Sequence, residues 1–208
     1  MHSVISEAVT RNRVMPVLVI PQLDMAEPLA SALASGGLTV FEITLRTPCA
    51  LEAMARMKSV VPQALIGAGT VTDATRMRQA KQAGADFAVS PGTTESLWAA
   101  SESNGLPLLP GFATASEAMQ LMELGSAFGK FFPAEASGGV KTLAALAGPL
   151  PDFKVCPTGG ITQTTAPDYL ALSTVVCVGG SWIAPANLLQ AGDYAEIEAR
   201  ARLAAALG

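Results

Sequence analysis

Residues 39–48 read Thr39-Val40-Phe41-Glu42-Ile43-Thr44-Leu45-Arg46-Thr47-Pro48. Within this stretch Phe41, Ile43 and Leu45 fall on one face of an extended chain, and Glu42, Thr44 and Arg46 fall on the other. A strand is predicted over Thr39–Thr44. Thr47-Pro48 then offers a helix N-cap and a first-turn proline, with Leu51, Met54 and Ala55 behind it at helical spacing. One strand feeds one amphipathic helix, and the same unit recurs in both directions. Further strands are predicted at Val14–Ile20, Leu65–Ala68, Phe87–Ser90, Pro107–Leu109, Phe128–Phe132, Phe153–Cys156 and Val175–Val178. Between them, Asp24–Ser35 places Ala26, Leu29, Ala30 and Leu33 on one stripe and stops at Gly36-Gly37. Thr72–Ala83 ends at Gly84, Thr114 and Glu117 have capping-box spacing ahead of Met119–Leu124, and Tyr194–Ala206 is an Ala-rich closing helix.

Eight strand-then-helix units in 208 residues, with no low-complexity linker, predict an α/β chain. Residues 1–208 are expected to form a single-domain (β/α)8 TIM barrel with a short N-terminal helix. A doubly wound open sheet fits the same alternation. Pro16 deprives the first strand of an N–H, so a bulge or a displaced strand start is expected there.

Hydrophobic residues make up 50% of the chain and charged residues 14%, against roughly 25% charged in an average globular protein. Much of the chain must therefore lie inside, or under neighbouring subunits. The net charge of -4 argues against a nucleic-acid partner and against a polybasic membrane anchor. Mean hydropathy is +0.39, yet the long uncharged stretch between Asp168 and Asp193 is interrupted by Gly179-Gly180, Pro185, Asn187 and Gln190, so no membrane span is expected. Met1–Arg13 has no apolar block of the secretory kind. Cys49, Cys156 and Cys177 lack metal-like spacing, and reduced, mostly buried thiols in the cytoplasm are expected. His2 is the only histidine, which removes Ser-His-Asp triads, Cys-His pairs and His-rich metal sites together.

In a barrel, functional groups belong at the C-terminal ends of the strands. Glu42, Thr44 and Arg46 would point inward there, where polar groups are costly unless paired or used. A structural Glu42–Arg46 ion pair is one way to meet that cost. Among the lysines Lys58, Lys81, Lys130, Lys141 and Lys154, only Lys130 lies within a strongly apolar strand near its C-terminal end. Burial disfavours an ammonium, and a neutral amine can attack a carbonyl carbon and form a Schiff base. The structural alternative is a lysine neutralised by Glu42. Pro157-Thr158-Gly159-Gly160 follows the seventh strand and Gly179-Gly180-Ser181 the eighth, the two loops where barrels bind phosphate through backbone N–H groups. Thr70, after Gly67-Ala68-Gly69, reads either as a carboxylate donor or as a helix cap, and Ser90-Pro91-Gly92 is equally open. Cys156 and Cys177 read as packing thiols.

Together Phe41–Thr47, Gly67-Ala68-Gly69-Thr70-Val71, Ser90-Pro91-Gly92, Lys130-Phe131-Phe132-Pro133-Ala134-Glu135, Cys156-Pro157-Thr158-Gly159-Gly160-Ile161 and Gly179-Gly180-Ser181-Trp182 resemble one family over nearly the whole chain. It is the 2-keto-3-deoxy-6-phosphogluconate (KDPG) aldolase and 4-hydroxy-2-oxoglutarate (KHG) aldolase family, the Schiff-base (class I) aldolases of the Entner–Doudoroff route. The family also takes in 2-keto-3-deoxy-6-phosphogalactonate aldolase activity. The resemblance implies a homotrimeric barrel with no metal or organic cofactor, acting on a phosphorylated keto acid and releasing pyruvate. It implies that Lys130 forms the Schiff base and that Glu42 shuttles protons. It further implies that Arg46 and Thr70 hold the pyruvyl carboxylate and that Pro91 and Phe132 wall the pocket. Thr158 would touch the sugar-chain hydroxyls, with Gly159, Gly160, Gly180 and Ser181 on the terminal phosphate. Thr158 looks more like the gluconate than the galactonate branch. Two positions depart from the family pattern: Gly129, where loosened helix packing is expected, and Ala113, in a loop that bears on substrate preference. Two other readings of the same residues are a phosphate-binding barrel doing isomerase or metal-assisted chemistry, and a non-catalytic phosphometabolite-binding protein.

Overall fold

The computed structural model describes residues 2–207, with the backbone alone for His2 and Ser3. Helix α1 (His2–Arg11) precedes the wall strands β1 (Val14–Leu18), β2 (Val40–Thr44), β3 (Leu65–Gly69), β4 (Phe87–Val89), β5 (Leu108–Leu109), β6 (Gly111–Phe112), β7 (Phe128–Phe131), β8 (Lys154–Pro157) and β9 (Val178–Gly180). All pairings are parallel: one sheet runs β5-β4-β3-β2-β1-β9 and another runs β6-β7-β8. β5 and β6 are two halves of one barrel stave separated by Pro110, whose carbonyl accepts from the Lys130 N–H at 2.8 Å. The Thr158–Gly179 and Val155–Val175 bridges join β8 to the β9 segment. The ring therefore closes, as a barrel and not as an open sheet.

Helices α2 (Ala26–Ser35), α3 (Ala50–Val60), α4 (Ala74–Gln82), α5 (Glu95–Asn104), α6 (Ala115–Glu123), α7 (Gly139–Ala147), α8 (Ala166–Leu170), α9 (Ala186–Ala191) and α10 (Tyr194–Ala205) occupy the connections and the C-terminal segment. Ala26, Leu29, Ala30 and Leu33 of α2 are all buried, as their spacing predicts. None of the helices among the described residues is long and apolar enough to cross a membrane.

Apolar packing divides into two bodies. The larger lies between the strands' outer faces and the helices, and includes Phe41, Ile43, Ile66 and Val178. The smaller fills the barrel's interior with Met15, Val40, Phe87, Val89, Leu109, Cys156 and Cys177, and is joined by Ile5, Ala8 and Val9 of α1. The N-terminal helix therefore stoppers the lower mouth. Polar side chains on the inner face, Glu42, Thr44, Lys130 and Thr158, sit above this apolar plug, towards the open end.

Some local expectations are corrected. Pro16 lies inside β1 with no displaced start. It pairs with Gly180, the last residue of β9, and from Val17 the pairing passes to β2, so the missing N–H falls where one ladder ends. Thr47 does not cap α3 through its side chain; the helix begins at Ala50 behind Cys49. The run Val175–Val178 is in the wall but its bonds are split, Val176 donating to Val155 of β8 and Val178 to Arg13 beside β1. Gly129 does not loosen the packing. A Cβ there would stand 2.7 Å from Phe153 and 2.8 Å from Phe112. The space belongs to the rings of Phe112, Phe131 and Phe153, whose centroids lie 5.5 and 5.4 Å apart along the chain of contacts.

The capping box at Thr114 forms as its spacing predicts. The Thr114 hydroxyl accepts from the Glu117 N–H at 3.3 Å, and the Glu117 carboxylate accepts from the Ala113 and Thr114 N–H groups at 2.8 and 2.9 Å. Ala113 thereby serves the start of α6. Thr114→Ala is expected to lower unfolding free energy by about 1 kcal/mol in chemical denaturation. The Ala113 N–H, with the Thr114 hydroxyl and N–H, holds the Glu117 carboxyl below its ordinary 4.5. A depressed folded-state value means that the carboxylate's contribution is present above pH 4.5 and lost as pH falls below it. The stability difference between wild type and Glu117→Gln is therefore expected to shrink between about pH 7 and about pH 3.

Candidate active site

Glu42 enters the barrel from β2 and Lys130 from β7, on the opposite side of the ring. Eighty-eight residues apart in sequence, they meet with Lys130 Nζ donating to Glu42 Oε1 at 2.8 Å and to Oε2 at 3.0 Å. Their side chains are only 6% and 3% exposed. Burial of this depth makes the counter-charge essential: each group alone would be a bare ion in an apolar wall. The carboxylate fits because its neighbour on β3 is Gly69, where a Cβ would lie 2.3 Å from Glu42 Oε1. The Phe132 ring centroid lies 5.5 Å from Lys130 Nζ, adding a cation–π contact.

Arg46 is not the partner of Glu42. It lies beyond the end of β2, exposed, and its Nε donates to the Thr70 hydroxyl at 3.2 Å. Thr44 is engaged elsewhere, donating to the Leu18 carbonyl at 2.8 Å. Thr70 has a φ of 62°, a left-handed conformation that costs a β-branched residue on the order of 1–3 kcal/mol. Arg76 of α4 holds it, donating to the Thr70 carbonyl at 2.9 Å and to the Leu45 carbonyl at 3.4 Å. The capping role left open for Thr70 belongs to Asp73, which accepts from the Arg76 N–H at 2.9 Å.

Above the ion pair opens a cavity of about 120 Å³. Arg46, Lys130, Phe132, Thr158, Gly159, Gly160 and Ser181 line it together, although they come from four different wall segments. The Thr158 hydroxyl is buried without a hydrogen-bond partner, an unsatisfied group on the cavity wall. Gly179 makes room for that side chain, since a Cβ there would be 2.2 Å from Thr158 Oγ1. Thr70 stands behind Arg46 rather than on the wall. Gly180 faces outward beneath the Trp182 ring, so only its backbone is offered to the rim. Pro91 is half-buried and packs against Gly111, while Ser90 accepts from the Gly111 N–H at 3.1 Å. Val17, Val19 and Ile161 also line the cavity and were not singled out from sequence. The inward alternation of Met15, Val17 and Val19 at the end of β1 was the available signal.

The thiols are bystanders. The neighbouring Cys156 thiol and burial push the Cys177 thiol well up, so it stays protonated.

A buried amine with a carboxylate in hydrogen-bond reach, opening on a cavity with mixed polar and apolar walls, suits imine chemistry, the chemistry of aldolases of the Schiff-base class. The chain belongs to the KDPG and KHG aldolase family, whose sequence model matches residues 5–200. It is 50% identical over 200 residues to the 2-dehydro-3-deoxy-phosphogluconate aldolase of Dickeya dadantii (strain 3937), covering 96% of this chain and 94% of the relative. It is 49% identical over 193 residues to the KHG/KDPG aldolase of Escherichia coli (strain K12), covering 93% of this chain and 91% of the other. The crystal structure of the 2-keto-3-deoxy-6-phosphogluconate aldolase of Zymomonas mobilis ZM4 with 3-phosphoglycerate superposes with a TM-score of 0.94 at 46% identity, covering 100% of this chain and 98% of that one. The KDPG aldolase of Legionella pneumophila, with pyruvate captured at low pH as a covalent carbinolamine intermediate, gives a TM-score of 0.93 at 42% identity, covering 95% and 96% of the two chains.

Proposed function

We propose that this chain cleaves 2-dehydro-3-deoxy-6-phosphogluconate to pyruvate and D-glyceraldehyde 3-phosphate through a Schiff base on Lys130, the cleavage step of the Entner–Doudoroff route. The observation that carries the reading is the buried Lys130–Glu42 contact of 2.8 Å beneath the cavity. Within that contact the ammonium can pass a proton to the carboxylate and become a nucleophile. The amine adds to the C2 keto carbon, and loss of water from the carbinolamine leaves a protonated imine. Glu42, again a carboxylate, accepts the C4 hydroxyl proton, directly or through a water. As the C4 carbonyl forms, the C3–C4 bond breaks and its electron pair passes into the imine, giving an enamine. The aldehyde leaves, C3 takes a proton, and hydrolysis of the imine releases pyruvate and regenerates Lys130.

Arg46, held by Thr70, presents a guanidinium suited to the substrate carboxylate. Phe132 walls the reacting end; Pro91, packed on Gly111, is not among the residues that line the cavity. The unpartnered Thr158 hydroxyl is placed for the hydroxyls of the sugar chain. Gly159, Gly160, Gly180 and Ser181 would hold the terminal phosphate, far from the breaking bond, where binding energy improves orientation. KHG shares the keto acid and the C4 hydroxyl and ends in another anion, so the E. coli relative's double name supports a test of both substrates. Kinetic comparison of the gluconate, galactonate and oxoglutarate substrates on one preparation ranks them.

The low charged fraction of 14% and the exposed Met119, Met122 and Leu203 support assembly, here proposed as a homotrimer and checked by light scattering. Free thiols at Cys49, Cys156 and Cys177 support a cytoplasmic site of action. The decisive experiment is borohydride trapping with pyruvate. A stable adduct on Lys130 is expected, and an unlabelled Lys130 overturns the proposal.

A further inference from the structure

Glu135 and Tyr169 form a contact that the reaction above does not use. Tyr169 is the largest of the fully buried side chains among the described residues, and its hydroxyl donates to Glu135 Oε1 across 34 residues of sequence. Burial, and then the Glu135 carboxylate, push the phenol above its ordinary value, so it remains a donor. Glu135 lies on the connection between β7 and α7, and Tyr169 lies in α8.

What this contact clasps is the Gly159-Gly160 loop. The Glu135 N–H donates to the Gly159 carbonyl at 3.0 Å, and the adjacent Ala134 N–H donates to the Thr158 carbonyl at 2.8 Å. The stem of Glu135 lies against Gly160, where a Cβ would come within 2.7 Å of its Cγ and 2.8 Å of its Cβ. Gly159 and Gly160 have φ values of 108° and 80°, conformations that glycine adopts freely and also leaves freely. A loop of two glycines keeps its N–H groups aimed at one point only if something outside it supports the backbone. The Glu135 carboxylate is also a charge beside a rim proposed to hold an anion, and the Tyr169 hydroxyl draws it towards α8.

We propose that the Glu135–Tyr169 pair is a positioning device for the phosphate end of the site, setting affinity for the phosphoryl group and leaving the keto-acid end alone. This rests on the assignment of the phosphate to the Gly159-Gly160 rim. The test uses two probes on the full chain: competitive inhibition by inorganic phosphate, which reads the rim, and the pyruvate concentration for half-maximal borohydride trapping, which reads Lys130. Tyr169→Phe and Glu135→Ala are expected to weaken phosphate inhibition about fivefold to tenfold, the scale of one lost hydrogen bond, with pyruvate half-saturation unchanged within about twofold. Glu135→Gln keeps an acceptor for the phenol and is expected to stay within about twofold of wild type for both probes. Unchanged phosphate inhibition in Tyr169→Phe, or both constants moving together, overturns the proposal. A wild-type protein that traps no pyruvate on Lys130 would instead bring down the proposed reaction, which this outcome separates from failure of the pair alone.

Discussion

Lys130→Met is expected to lower kcat by roughly four orders of magnitude or more and to abolish trapping of pyruvate by borohydride, because Lys130 is the only lysine among the described residues that lines the cavity. Lys58 is committed to Asp86 at 2.6 Å and lies in α3, and Lys154 opens β8 at the far end of the barrel, reaching the Ser173 carbonyl at 3.4 Å. The substitution also strips Glu42 of its counter-charge in a site where Glu42 is 2% exposed. Breaking a buried pair from one side typically costs about 3–5 kcal/mol, so a lower unfolding midpoint accompanies the loss of activity. The double variant Glu42→Gln/Lys130→Met removes both charges and is expected to recover most of that stability and none of the activity. Differential scanning calorimetry beside the trapping assay separates the chemical defect from the folding one. Appreciable turnover by a folded Lys130→Met protein would remove the imine from the mechanism.

Glu42→Gln keeps the shape of the side chain and an oxygen near Lys130 Nζ while removing the proton carrier. Its kcat is expected to fall about 10²–10⁴-fold, the range of a positioned general acid–base, with a smaller change in KM. The cleanest readout bypasses cleavage. Pyruvate alone forms the imine and the enamine, so the rate at which its methyl protons exchange with deuterium oxide, followed by NMR, reports proton transfer on the enzyme. That exchange should slow by about 10² or more in Glu42→Gln. Exchange at the wild-type rate would assign the proton to another group. Here too the unpaired charge, now the Lys130 ammonium, lowers stability, and calorimetry sets the temperature at which rates are compared.

Both predictions concern a pair that sequence periodicity brings only part of the way. Alternation through residues 41–46 puts Glu42 on the inner face, and the apolar run 128–132 puts Lys130 on a strand. Neither period carries the information that β2 and β7 stand across one ring, so Arg46 was as good a local partner for Glu42 as Lys130. Distance settled it, with the Lys130 contact at 2.8 Å and Arg46 turned to Thr70. The two glycine loops face different ways for a similar reason. Gly159 and Gly160 sit on the cavity wall, whereas Gly180 turns outward under Trp182, because in a strand adjacent residues face opposite ways. At Gly129 an absent side chain suggested loose packing, but Phe112 and Phe153, from other staves, fill the gap.

Local pattern alone therefore determined that this chain alternates strands with covering helices, that Glu42, Lys130 and two glycine loops are its candidate chemical groups, and that Thr114 and Glu117 start a helix. Those properties depend on neighbours within a few residues, where backbone geometry is repetitive. The closure of the ring, the stoppering of its lower mouth by Ile5, Ala8 and Val9, the choice of Lys130 over Arg46 and the clasp of Tyr169 on Glu135 were decided by tertiary structure. Each is a contact between groups far apart in the chain, made by whichever side chains reach the same few cubic ångströms once the strands are arranged around an axis.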